Sequence, residues 1–264
     1  MSTTYVVRDS TTLLRRNLLH LQRYPSLTVT VVAMPVVFLL LFVFVFGGTM
    51  GAGLPASGVE EGRAAYLAYI APAILVMTVM SVANSTAVMV AKDACEGIID
   101  RFRTMAVARS APLVAHVLAA LAQTVLGVVL VLLVAVGLGY RPDAGALGWF
   151  GAAGLVLLLG WTVTWLCVAL GLASGSVEAA SNAPLPLILL PFLSSGFVPT
   201  DSMPSGLAWV ADHQPFTPII DTLRACLAGV SPGADLWWAI GWCVLGSVLC
   251  FAWSRRLFAR GRAA

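Results

Sequence analysis

Side chains able to do chemistry are few here and mostly scattered. The histidines His20, His116 and His213 stand far apart, and Cys95, Cys167, Cys226, Cys243 and Cys250 form no CxxC pair and no Cys/His cluster. Neither metal-ligand spacing nor a redox pair results. No GxxxxGKS/T or HExxH occurs, which removes a phosphate loop and a zinc-binding helix from consideration. The one dense constellation is EGIIDRFRTMAVAR, residues 96–109, where Glu96 and Asp100 precede Arg101, Arg103 and Arg109 on an otherwise apolar frame. Acids first and arginines last suit a helix dipole, and Asp100 can pair with Arg103. Ile98, Phe102 and Met105 fall on one helical face, with Ile99 beside them. Such a pattern binds; it does not catalyse. It fits a solvated helix lying flat on a surface, or a docking helix whose apolar ridge and charges seat in a partner's groove.

The elements that must position this stretch are membrane-sized. Hydrophobic residues make up 59% of the 264-residue chain and charged residues only 10%, against about 25% charged in a soluble domain. A bilayer core about 30 Å thick takes about 20 apolar residues as helix. Six stretches free of Asp, Glu, Lys and Arg qualify: 27–46, 67–91, 113–139, 147–174, 183–198 and 236–253. Pro184, Pro186 and Pro191 interrupt the fifth. The first starts too late and runs too long for a cleaved signal peptide, and no small-residue cleavage site ends it. Cysteines inside spans behave as small hydrophobes, and a lone histidine near a membrane end reads as a packing or interface residue. The spans carry no carboxylate, which argues against coupling to a proton or sodium gradient. A mover of solute built this way needs an engine outside itself.

With the N-terminus in the cytoplasm, only Arg63, Arg141 and Arg224 of the 15 basic residues fall outside, the asymmetry that the positive-inside rule describes. Both termini are then cytoplasmic, as is the stretch 96–109. The net charge of +3 calls for no nucleic-acid partner, because the basic residues flank spans where anionic headgroups attract them. Residues 10–24 read as an amphipathic surface helix, with Leu14, Leu18 and Leu21 opposite Arg15, Arg16 and Arg23, ended by Pro25. Residues 47–66 form a glycine-rich external loop, 140–146 an external turn and 175–182 a small cytoplasmic turn. The segment 199–230 is too apolar for a free loop and is cut by Pro199, Pro204, Pro215 and Pro218. It reads as two short helices dipping back into the outer leaflet, with Asp221 and Arg224 spaced to pair. Irregular backbone at that depth must be covered by protein or line a wet cavity. Trp209, Trp237 and Trp238 suit the outer interface.

The stretch 96–109 resembles the signature of type-2 ABC exporter permeases. Glu96, Gly97, Ile99, Asp100, Arg101, Phe102, Arg103, Val107, Ala108 and Arg109 match it, while Ala106 stands where the family carries proline, which implies a softer bend. FGGTM after the first span and FRTMAVAR are similar to the daunorubicin-resistance type, of actinobacterial character. SSGFVPTDSMPSGLAWVADHQPFTPIIDTLR is similar to a second family run, with Gln214, Pro215 and Phe216 at its Asn/Gln–Pro–Phe/Leu positions.

The resemblance covers nearly the whole chain. It implies an all-α integral membrane protein, a single transmembrane domain over 1–264, with six transmembrane helices and an N-terminal amphipathic surface helix. A cytoplasmic coupling helix over 93–109 lies between spans two and three, and two short re-entrant helices precede span six. In that family the coupling helix docks on a separate ABC ATPase, so Glu96, Gly97, Asp100, Arg101, Phe102, Arg103, Met105 and Arg109 are the expected contacts. Gly97 either allows close approach or starts the helix. The expected function is that of the permease subunit of a bacterial ATP-binding-cassette exporter moving amphipathic drugs, natural products or lipids outward. Two ATPase copies and a second permease, identical or paralogous, are the implied partners beside the lipid bilayer of the cytoplasmic membrane. ATP and Mg belong to the ATPase; this chain is expected to bind no cofactor and to hold no catalytic site. A permease for lipid-linked polysaccharides has the same fold and is the alternative. A non-transporting membrane scaffold would not need the docking signature. Ser81, Asn84, Thr86, Ser194 and Ser195 bond neighbouring helices or line the export path. Phe192 and Phe197 meet lipid and neighbours, or an apolar substrate. Gly171 and Gly175 form a GxxxG helix contact in span four.

Overall fold

The computed structural model describes residues 25–48, 59–99, 101 and 111–260. The surface helix expected at 10–24 lies outside the described residues, as do Asp100, Phe102, Arg103, Met105 and Arg109. Every regular element among the described residues is a helix. Helix α1 (Pro25–Leu41) runs on as a wide π-helical turn, Phe42–Phe46. Then follow α2 (Val59–Cys95), α3 (Ala111–Gly137), α4 (Ala146–Ala173), α5 (Val177–Asn182) and α6 (Leu185–Leu189). 3-10 turns at Leu190–Leu193 and Thr200–Ser202, α7 (Ser205–His213), α8 (Phe216–Leu227) and α9 (Asp235–Arg260) complete the order. Helix is the form that satisfies every backbone N–H and C=O within one segment, which the bilayer interior demands.

Among the described residues four helices are long and apolar enough to cross a membrane: Gly62–Cys95, Ala111–Gly137, Ala146–Ala173 and Asp235–Ala259. Two shorter apolar runs, Val31–Phe46 and Val177–Leu193, fall where the first and fifth spans are expected. The second of these starts earlier than the sequence predicts. Residues 175–182 read as a turn, yet the chain is helical from Val177, because the Ser176 hydroxyl accepts the Ala179 N–H at 3.1 Å and caps the helix. The prolines then act as expected. Each lacks an N–H donor, and the run divides into α5, α6 and the tightened turn at Leu190–Leu193.

Helix α2 is the central element. It packs against α1, α3, α4 and α8, and its side chains are buried without interruption from Ile70 to Met80. Its contact with α4 depends on Gly171, where a Cβ would stand 2.5 Å from the Ala87 carbonyl oxygen. Among the described residues nothing lies within 4 Å of a Cβ built at Gly175, the other half of the GxxxG, so the close approach there is at Gly171. Helix α9 lies at the periphery against α4, with Trp237, Trp238, Leu245, Val248 and Leu249 exposed. Small polar contacts seat it. The Thr162 hydroxyl stands 2.8 Å from the Cys243 carbonyl and 2.7 Å from Ser247 Oγ, and Ser254 donates to the Trp165 carbonyl at 3.0 Å. Small residues let membrane helices approach closely enough for such bonds. Near the carboxyl end of α2 a separate cluster gathers Val90, Ile99, Leu113, Val117, Trp165, Val168 and Phe258.

Candidate functional site

The acid–arginine stretch begins where α2 ends. Gly97 has φ = 70°, a left-handed conformation that glycine adopts without penalty and that commonly closes helices. The Gly97 N–H reaches the Ala94 carbonyl at 3.3 Å, and the Gly97 carbonyl accepts the Arg101 N–H at 3.1 Å, so one helix stops and another turn starts at this residue. Among the described residues nothing lies within 4 Å of a Cβ built there, and the backbone turn is the feature that favours glycine. Ile99 inserts into the cluster of Leu113, Val117, Trp165 and Phe258, 6% exposed. Glu96 and Arg101 stay exposed. Lys92 and Glu96 stand 3.9 Å apart, a surface pair worth little. One turn earlier, Asp93 Oδ2 meets His116 Nε2 on α3 at 3.2 Å.

The other expected residues divide into two groups. Ser81, Asn84 and Thr86 lie along the second half of α2. Thr86 donates back to the Val82 carbonyl at 3.1 Å, a bond common to hydroxyls inside helices. Asn84 Oδ1 is buried with no hydrogen-bond partner among the described residues. Phe192, Ser194, Ser195 and Phe197 meet far from these, near the amino end of α2. Phe192 and Phe197 stack at 4.9 Å between centroids, and Phe38 and Phe42 of the first apolar helix close on them at 5.6 and 4.9 Å.

Both serine hydroxyls there are engaged within the chain. Ser194 Oγ donates to the Pro191 carbonyl and accepts the Gly196 N–H. Ser195 Oγ donates to Asp221 Oδ1 at 2.8 Å. Asp221 is ion-paired with Arg224 one turn along α8, as the spacing predicts. Arg224 also donates to the carbonyls of Ser195 (2.9 Å) and Tyr69 (3.3 Å) and lies 4.0 Å over the Tyr69 ring. The Tyr69 hydroxyl donates to the Ser195 carbonyl at 2.6 Å. The parts of this lock that sequence reasoning missed are Tyr69 and the capture of Asp221 by Ser195. The only signal was two ionisable residues in an otherwise apolar segment, each of which needs partners when desolvated.

Beside the lock, Tyr69, Tyr140, Arg141, Asp143, Arg224 and Leu227 line a cleft of ≈ 300 Å³. Burial pushes the Tyr140 hydroxyl up to about 12, and the Asp143 carboxylate adds to the shift. Among the described residues no group of three or more His, Cys, Asp and Glu could hold a metal ion.

Bilayer-length helices around one buried rod, locked by polar bonds at one end and opened into an exposed acid–arginine turn at the other, define a multi-helix membrane subunit. The family model for the ABC-2 type transporter matches residues 9–228, and the chain belongs to that family. It is also similar to the daunorubicin resistance ABC transporter permease protein DrrB1 of Streptomyces coeruleorubidus. The two are 28% identical over 246 residues, which covers 92% of this chain and 80% of that relative.

Proposed function

We propose that the chain is the permease subunit of a bacterial ABC exporter that carries amphipathic drugs, natural products or lipids outward across the cytoplasmic membrane. Likeness to a drug-resistance permease over 92% of the chain is the observation that carries the reading. The force comes from two copies of a separate ATPase, which supply the ATP and Mg chemistry; this chain has no catalytic role of its own. The four long helices and the two shorter apolar runs make six crossings, with both termini in the cytoplasm and α7 and α8 re-entrant from outside. A second permease, identical or paralogous, completes the pathway. Residues 93–109 are the docking helix, with Glu96, Gly97, Asp100, Arg101, Phe102, Arg103, Met105 and Arg109 at the contact. The exposure of Glu96 and Arg101 beside the anchored Ile99 supports that placement.

The test is recovery of the ATPase on the purified permease. Charge reversal of Arg101 and Arg103 together is expected to weaken co-purification while the variant inserts normally. Phe102→Ala is expected to cost about 2 kcal/mol of binding, roughly a 30-fold loss, and to abolish stimulation of ATP hydrolysis by transported compounds. Wild-type recovery and stimulation in both variants would mean that this helix rests on lipid.

A further inference from the structure

The contact between Asp93 and His116 has no part in the lock at the other end of α2, and the apolar packing of α2 on α3 does not require it. Asp93 is in the last turn of α2, three residues before Glu96 and four before the left-handed Gly97. His116 is in the second turn of α3, and its neighbours Leu113 and Val117 are the residues that hold Ile99. The two side chains are 9% and 16% exposed, with His116 Nε2 3.2 Å from Asp93 Oδ2. A carboxylate withdrawn this far from water costs free energy unless a donor meets it. The last turn of a helix, with carbonyls lacking intrahelical partners, is where a helix frays first. A lateral hydrogen bond at this turn therefore fixes the direction in which the chain leaves α2.

We infer that the Asp93–His116 hydrogen bond positions the docking segment: it holds the final turn of α2 against α3, so that Glu96 and Arg101 are presented to the ATPase in one fixed geometry. This rests on the docking role proposed above. His116 is a positioning residue; it acts through the backbone at 96–101. Among the described residues Ile99 in its apolar pocket and Asp93 on His116 act together, one on each side of the Gly97 turn. Preorganisation of this kind raises affinity by removing the ordering cost of binding.

Amide hydrogen exchange on the purified full-length permease, followed by titration with the ATPase, tests the inference. The reporting amides are those of Glu96, Gly97 and Arg101, bonded in the wild type to the carbonyls of Lys92, Ala94 and Gly97. In His116→Ala they are expected to exchange faster by on the order of tenfold, with the middle of α4 unchanged. His116→Gln keeps an N–H donor near the Nε2 position and is expected to restore slow exchange. His116→Phe keeps bulk without the donor and is expected to behave as the alanine variant. ATPase affinity is expected to fall by on the order of tenfold in the Ala and Phe variants. Wild-type exchange in the Phe variant overturns the inference, because packing alone would then suffice. This comparison holds even where the alanine variant fails to fold. Faster exchange with unchanged ATPase affinity also overturns the inference, whereas undiminished ATPase recovery in the Arg101 and Arg103 charge-reversal variant refutes docking at 96–101, so the two failures are distinguishable.

Discussion

At its amino end α2 is joined to α8 and to the chain just past the broken apolar run Val177–Leu193 by a set of polar bonds. Tyr66 and Tyr69 donate to the carbonyls of Phe197 and Ser195, and Arg224 returns two bonds to Tyr69 and Ser195 while paired with Asp221. At its carboxyl end Asp93 reaches His116, and the chain turns at Gly97 into a segment whose Glu96 and Arg101 remain exposed. Charge is treated differently at the two ends. In the lock a guanidinium and a carboxylate are consumed by the chain's own backbone and hydroxyls, and the result is a fixed shape. Around Gly97 the Glu96 and Arg101 side chains are left exposed, and the result is a surface. The apolar helices between are nearly featureless, so the few ionisable residues show where this molecule is closed and where it is available.

Removing one member of the lock tests the contrast most severely. Asp221→Ala leaves the Arg224 guanidinium half-buried against Tyr69 and Ser195 without its carboxylate, and is expected to cost about 3 kcal/mol of stability. The measurement is the shift in the denaturant midpoint of the purified protein. The double variant with Arg224→Ala is expected to lose less than the two single losses added together. Next in size is the α2–α4 contact. Gly171→Val drives a side chain onto the Ala87 carbonyl and is expected to cost about 2 kcal/mol, whereas Gly175→Val in the same GxxxG stays within about 0.5 kcal/mol, both read from thermal unfolding. At the other end, Gly97→Ala is expected to cost about 1 kcal/mol for its positive φ. It should lower recovery of the ATPase out of proportion to that small loss, whereas Asp221→Ala should weaken the fold without altering docking by the protein that remains folded. Smaller than Gly97→Ala is Thr162→Val, which removes the bond to Ser247 and is expected to cost about 0.6 kcal/mol. It touches neither end, and a larger effect on ATPase recovery than that of Gly97→Ala would count against the contrast.

The long helices were legible because an uncharged apolar run of bilayer length is seldom anything but a membrane helix. The Asp221–Arg224 pair was legible because three residues along a helix is contact distance. The bonds from Ser195 to Asp221 and from Tyr69 to Ser195 join residues 26 and 126 apart in the chain, and no local spacing announces them. The faces of the helices were also hidden. In water a polar stripe marks the outside of a helix, but lipid tails are as apolar as a protein core. On α9 the exposed Leu245, Val248 and Leu249 are as hydrophobic as anything buried, and the side that packs is the one carrying Cys243, Ser247 and Ser254. Polar residues within the spans stand out in the sequence by their rarity. Which of them are engaged is a tertiary fact: among the described residues Ser194 and Ser195 have partners, whereas Asn84 keeps a buried oxygen without one.

Helix α2 is unbroken over its 37 residues, Val59–Cys95. At 1.5 Å per residue that is roughly 55 Å, longer than the hydrocarbon it crosses, with Pro72 as its internal proline. Mechanically it is a beam with fixtures near both ends. Rotating such a beam by about 5° around its centre moves each tip by roughly 2.4 Å, in opposite directions, given that length. Tyr69, about 12 Å from the centre at the same rise per residue, moves by roughly 1 Å, enough to disturb its hydrogen bond to Ser195. A push at the Gly97 end is therefore also a pull on Tyr69, and no intervening part has to change shape to deliver it.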